Sequence, residues 1–93
     1  MVIVGIDTHT QSHTAAAVDE HGRELATVTV GAHPAELDRL RVWVNDLGSV
    51  RLVAIEGARG FGLPITRRLL AAGVAVVDIP SHLTALGRAG HRG

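Results

Sequence analysis

Two apolar runs in this chain each close on a carboxylate, and few folds accommodate both. Val2-Ile3-Val4-Gly5-Ile6 leads directly into Asp7, and Val50-Arg51-Leu52-Val53-Ala54-Ile55 leads into Glu56, with Arg51 the single polar interruption. A short run that is apolar at successive positions predicts a strand buried on both faces, in the middle of a sheet. The last residue of such a strand emerges where the sheet meets solvent. An acid there stands on a rigid element and stays open to a ligand, as a metal or phosphate site requires. The plainer alternative is that Asp7 only opens a turn, for which Asp and Thr are suited anyway.

The remaining elements follow from periodicity. His13 to Val18 is small and β-tolerant and ends at Asp19-Glu20-His21-Gly22, a hairpin signal with Gly22 available for positive φ. Arg23 to Val30 then alternates, with Glu24, Ala26, Val28 and Val30 on one side, so the first three strands predict an antiparallel meander. Pro34 opens a helix at its favoured first-turn position, and Leu37, Leu40, Val44 and Leu47 recur at three and four before Gly48 ends it; Trp43 flanks this stripe as a packing residue. Gly57 to Gly60 predicts a loop. Phe61, Ile65, Leu69 and Ala72 mark one face of a second helix that stops at Gly73, and Val74 to Ile79 predicts a third buried strand. Strand, helix, strand, helix, strand implies parallel pairing through right-handed crossovers.

The expected architecture is therefore α/β, with a mixed five-stranded sheet in the order 3-2-1-4-5 and flanking helices. Strands 1 and 4 become parallel neighbours under about 5 Å apart, which brings Asp7 and Glu56 together. Two carboxylates at that spacing repel, and a hard divalent cation such as Mg²⁺ or Mn²⁺ removes the penalty. Paired ions of this kind drive phosphodiester chemistry, and two carboxylates are few for such a site.

Composition narrows the function classes. Ninety-three residues make one domain, cysteine is absent, and nothing approaches a membrane span or a signal peptide, so a cytoplasmic protein with no membrane partner is expected. Net charge is zero but unevenly placed: seven acids face three arginines in residues 1–50, and six arginines face two acids in residues 51–93. Arg59, Arg88 and Arg92 are the candidates for phosphate contact near the strand ends, whereas Arg67 and Arg68 on a helix are expected to be solvated. His9 and His13 are four apart on a turn and strand rather than on one helix face, which disfavours a shared metal; His9 is expected as a solvated loop residue.

Several stretches in order carry a family resemblance: Gly5-Ile6-Asp7-Thr8-His9, the hairpin Thr14 to Glu24, Ala54-Ile55-Glu56-Gly57, and Pro80-Ser81-His82-Leu83-Thr84. Together they resemble the amino-terminal, ribonuclease H-like (RuvC-like) domain of DEDD-type insertion-sequence transposases, recombinases that work with a bridging RNA. The resemblance implies that Asp7 and Glu56 are the first two acids of the DEDD quartet, catalytic and metal-ligating. It places the Asp-x-x-Asp pair beyond Gly93 and a serine nucleophile in a further domain. The expectation is thus an incomplete ribonuclease H-like domain over 1–79 and a basic, loosely structured tail over 80–93 leading to a missing remainder. Such a chain would be the amino-terminal part of a transposase, binding Mg²⁺ or Mn²⁺ weakly and inactive alone. DNA, guide RNA and further copies of itself would be its partners.

Two alternatives belong to other classes. An apolar strand, Gly5-Ile6-Asp7-Thr8 and a hairpin also resemble the phosphate-binding start of sugar kinases and actin-like ATPases. Those place glycine two residues after the acid, where this chain has His9. The third is a non-catalytic module of the same fold that assembles with RNA or protein.

Overall fold

A computed structural model describes residues 1–80. Its elements are β1 (Val2–Thr8), β2 (Ser12–Asp19), β3 (Glu24–Gly31), α1 (Pro34–Asp46), β4 (Val50–Glu56), α2 (Leu63–Ala71) and β5 (Val76–Ile79). The five strands form one sheet in the order β3-β2-β1-β4-β5, with β1–β2 and β2–β3 antiparallel and β1–β4 and β4–β5 parallel. The order and the meander agree with the expectation from sequence. The expected tail from residue 81 on, with Arg88 and Arg92, lies outside the described residues.

Burial alternates along the sheet and so assigns its faces. Val2, Val4, Ile6 and Thr8 of β1, His13, Ala15 and Ala17 of β2, and Val53 and Ile55 of β4 are buried. The apolar ones among them form one core with Leu37, Leu40 and Val44 of α1 and Ile65 and Leu69 of α2. A helix of 13 residues is marginal alone. Each buried Leu or Val contributes about 1.5–3 kcal/mol, so docking of that stripe is what holds α1 in place. The residues of opposite parity, Ile3, Gly5 and Asp7 in β1 and Leu52, Ala54 and Glu56 in β4, are half-buried or exposed, and a Cβ at Gly5 would meet nothing within 4 Å. No described helix covers that face.

Local chemistry fixes the connections. Asp19 Oδ1 accepts the backbone N–H of His21 and of Arg23, each at 2.9 Å, and Gly22 supplies φ +79° to close the β2–β3 hairpin. Glu36 in the first turn of α1 accepts the Gly31 N–H and pairs with Arg39 at 3.1 Å, and the two contacts hold its carboxyl below the usual range. Gly48, at φ +88°, ends α1. Arg68, expected to be solvated, instead donates from Nε to Asp38 Oδ1 at 3.0 Å and ties α2 to α1. None of the described helices is long and apolar enough to cross a membrane.

Three expectations need correction. β1 and β4 are not buried on both faces: burial alternates along them, and Ile3, Gly5, Leu52 and Ala54 on the second face are half-buried or exposed because no described helix packs there. Val74 to Ile79 is not a buried strand: β5 begins at Val76 and, at the edge position the expected order gave it, leaves Val77 and Asp78 exposed. Phe61 and Ala72 do not belong to the buried face of α2. The helix starts at Leu63, and both residues are exposed outside it.

His13 gives the fold a pH dependence. The side chain is 1 % exposed; Nδ1 donates to the Ser12 carbonyl at 2.9 Å, and Nε2 is buried with no hydrogen-bond partner among the described residues. Burial lowers its pKa, against the raising effect of the Ser12 bond, with neighbouring His9 lowering it further. A depressed folded-state pKa means that the unfolded chain takes up the proton first as pH falls. Stability is therefore full above about pH 6.5 and declines from there to the folded pKa. Urea melts of wild type and His13→Leu between pH 7.5 and 5 should show a steeper loss for wild type. Parallel curves would contradict a buried neutral imidazole.

Candidate metal and nucleic-acid site

Strand register decides where the acids go. Gly5 lies opposite Ala54 and Ile6 opposite Ile55 in the parallel β1–β4 ladder, so the next residues, Asp7, one before the end of β1, and Glu56, the last of β4, come to the same edge of two adjacent strands. Both have the parity of the uncovered face. They line two adjoining hollows. One, of about 270 Å³, runs back over Gly5, Thr14, Ala16, Ala54 and Ile79; the other, of about 410 Å³, opens over His9, Gly57, Gly60 and Phe61.

The backbone under the acids is fixed. Thr8, buried beside Asp7, donates from Oγ1 to the Glu56 carbonyl at 2.6 Å and joins the two strand ends. Past Glu56 the chain turns through Gly57 at φ +68°. The Gly57 N–H donates to Ile79 O at 3.3 Å and the Ala58 N–H to Asp78 Oδ1 at 3.1 Å, so β5 anchors the loop from its far side. Sequence reasoning gave Asp78 no role; the signal was an acid in the strand next to a glycine-rich loop.

The other candidates are distributed around this centre. His9 is exposed as expected, yet Nε2 comes 3.4 Å from Asp7 Oδ2, so it belongs to the rim of the site. Its backbone N–H donates to Ser12 O at 2.9 Å. That engagement removes the amide a phosphate-binding turn would need at this position, which disfavours the kinase-like alternative. The His13 side chain is buried, with the parity of the core face, and does not join His9 at the rim. Arg59 is exposed on the loop and has no ion-pair partner among the described residues.

Among the described residues no group of three or more His, Cys, Asp or Glu could hold a metal ion. The donor set is the carboxylate pair, hard oxygens of the type that Mg²⁺ and Mn²⁺ take, beside a hollow with room for retained waters. These residues fit such an ion as two of its ligands.

The model of the DEDD transposase family of IS110 type, described as "Transposase", matches residues 4–92. The chain belongs to this transposase family. Comparison with curated proteins gave no match. Among solved structures, the transposase chain is similar to Thermus thermophilus RuvC (TM-score 0.64, 22% identity) and to T. thermophilus RuvC in complex with Holliday junction substrate (TM-score 0.63, 21% identity). Each match covers 86% of this chain and 64% of the RuvC chain, so this chain spans less than two thirds of the RuvC length. It is also similar to Lmo2764 of Listeria monocytogenes, a candidate N-acetylmannosamine kinase, at TM-score 0.60 and 14% identity over 86% of this chain and 35% of that one. At these identities the likeness establishes the fold, which is ribonuclease H-like. The transposase chain is an amino-terminal part of a DEDD transposase.

Proposed function

We propose that Asp7 and Glu56 hold a divalent cation, Mg²⁺ or Mn²⁺, at which a DNA strand is engaged during transposition. The observation that supports this best is the placement of the two carboxylates side by side, at the ends of the two central parallel strands and on the uncovered face. In this reading Asp7 and Glu56 are catalytic and metal-ligating residues. Thr8 keeps their strand ends in register, and Arg59 meets a phosphate of the incoming strand. When bound, the ion supplies Lewis-acid stabilisation of charge on the scissile phosphate. Without a cation the carboxylates repel the DNA backbone; with one, the edge of the sheet becomes attractive to it. DNA is proposed as the substrate, in keeping with the family and with the RuvC neighbour bound to a junction. A guide RNA and further copies of the chain are partners implied by the resemblance alone. With two carboxylates the 93-residue chain is expected to bind DNA without cutting it.

Fluorescence anisotropy with a labelled branched DNA tests the proposal. Affinity should rise when Mn²⁺ replaces EDTA, and the Asp7→Asn, Glu56→Gln double variant should lose that rise while keeping its thermal melt. DNA binding indifferent to metal, or a metal response intact in the double variant, contradicts the assignment.

A further inference from the structure

The loop between β4 and α2 is pinned at two points and thrust outward between them. Ala58 is buried, and its N–H is held by Asp78. Gly62 is buried where a Cβ would stand 2.7 Å from Ile55 Cγ2. The N–H groups of Gly60 and Gly62 both donate to Gly57 O at 2.9 Å, and the Leu63 N–H donates to Gly60 O. Between the pins, Arg59, Gly60 and Phe61 are exposed. Phe61 is the only phenylalanine of the chain, is 59% exposed, and lines the same hollow as Asp7 and Glu56. A large apolar ring on a hydrogen-bonded loop, beside two carboxylates and an exposed arginine, suits a flat ligand that carries phosphate.

We propose that Phe61 is a stacking platform for an unpaired base next to the phosphate held at Asp7 and Glu56. The inference rests on the metal-site reading above and adds the state of the DNA: a base within a duplex offers no free face, so the strand must be open at this point. Stacking on an aromatic side chain tolerates any base, since every base has a π-face. Phe61 therefore positions the strand without reading its sequence, while Arg59 takes the adjoining phosphate. The loop backbone is held by its own hydrogen bonds, which lowers the ordering cost of binding to that of the side chains.

The test uses the 93-residue chain in Mn²⁺ with two probes, a blunt duplex and the same duplex with a short single-stranded overhang carrying 2-aminopurine. Phe61→Ala and Phe61→Leu should each weaken overhang binding about ten-fold, remove the quenching of 2-aminopurine, and leave blunt-duplex binding within about two-fold. Phe61→Tyr should retain both binding and quenching. Leucine keeps apolar bulk without a π-face, so normal binding by Phe61→Leu would show a mere packing role and overturn the proposal. Equal losses on both probes, or no overhang binding by wild type, would overturn it too. Mn²⁺ binding separates the two readings. Unchanged Mn²⁺ affinity with no effect of Phe61→Ala on DNA contradicts the platform alone. Phe61-dependent DNA binding without Mn²⁺ binding contradicts the metal site alone and supports the platform.

Discussion

Gly62→Ala should lower stability by about 3 kcal/mol, near the upper end for overpacking a filled core, and melting should fall by roughly 10–20 °C. The cause is space rather than backbone conformation, since φ at Gly62 is −84° and any residue adopts it. A methyl at this position would lie 2.7 Å from Ile55 Cγ2, 2.9 Å from Gly57 O and 3.2 Å from the Ala58 Cα. Ile55 is fully buried and cannot swing away. The Gly57 carbonyl accepts two loop N–H groups, so moving it undoes the turn that follows Glu56. The start of α2 would shift as well, because Gly62 O accepts the Thr66 N–H at 2.9 Å and its hydroxyl at 2.7 Å. Gly48→Ala provides the contrast. Its φ of +88° strains any side chain, but nothing lies within 4 Å of the added methyl, so the cost should stay near 1 kcal/mol, the usual penalty for a positive φ. Paired thermal melts check both, and a Gly62→Ala protein as stable as wild type would contradict the packing described under the loop.

The central sheet was legible because its signals are local. The apolar runs marked β1 and β4 as inner strands of the sheet, although only one face of each is buried, and each run leads into an acid at the same register position, so fold and acid pair were readable together. The β2–β3 hairpin was legible for a similar reason: Asp19 and Gly22 are turn chemistry within four residues. The failures are tertiary. Val74 to Ile79 has the composition of a buried strand, but β5 sits at the expected edge position with β4 as its one neighbour among the described strands, and its residues are half-buried or exposed.

Phe61 misled for a different reason. Its spacing to Ile65 and Leu69 is helical, yet Gly62 must pack against Ile55, which delays the helix to Leu63 and turns the ring outward. A misplaced core residue in the sequence became the most exposed aromatic at the site. The burial of His13 was not read from the sequence, although it shares parity with Ala15 and Ala17, all three buried. A polar residue in that pattern competes with the expectation that histidine near a turn is solvated. The ion pair between Arg68 and Asp38 joins residues thirty apart on two helices, and no local pattern encodes it.

The second large effect concerns the metal. Mg²⁺ and Mn²⁺ favour about six oxygen ligands, and Mg²⁺ gives up its waters reluctantly. Two protein carboxylates leave most of that shell to water, so the chain should hold a single ion weakly. Asp7→Asn removes one of the two charged ligands while keeping the shape of the side chain and the strand register. It should abolish binding and leave the fold intact, or stabilise it slightly by relieving repulsion with Glu56. Glu56→Gln should do the same from the neighbouring strand, since the carbonyl that Thr8 holds is untouched. The measurement is a Mn²⁺ titration followed by electron paramagnetic resonance on wild type and both variants, with thermal melts run alongside. One weak site in wild type and none in either variant, at unchanged or slightly higher melting temperature, is the expected result; equal Mn²⁺ binding by wild type and Asp7→Asn would contradict the site.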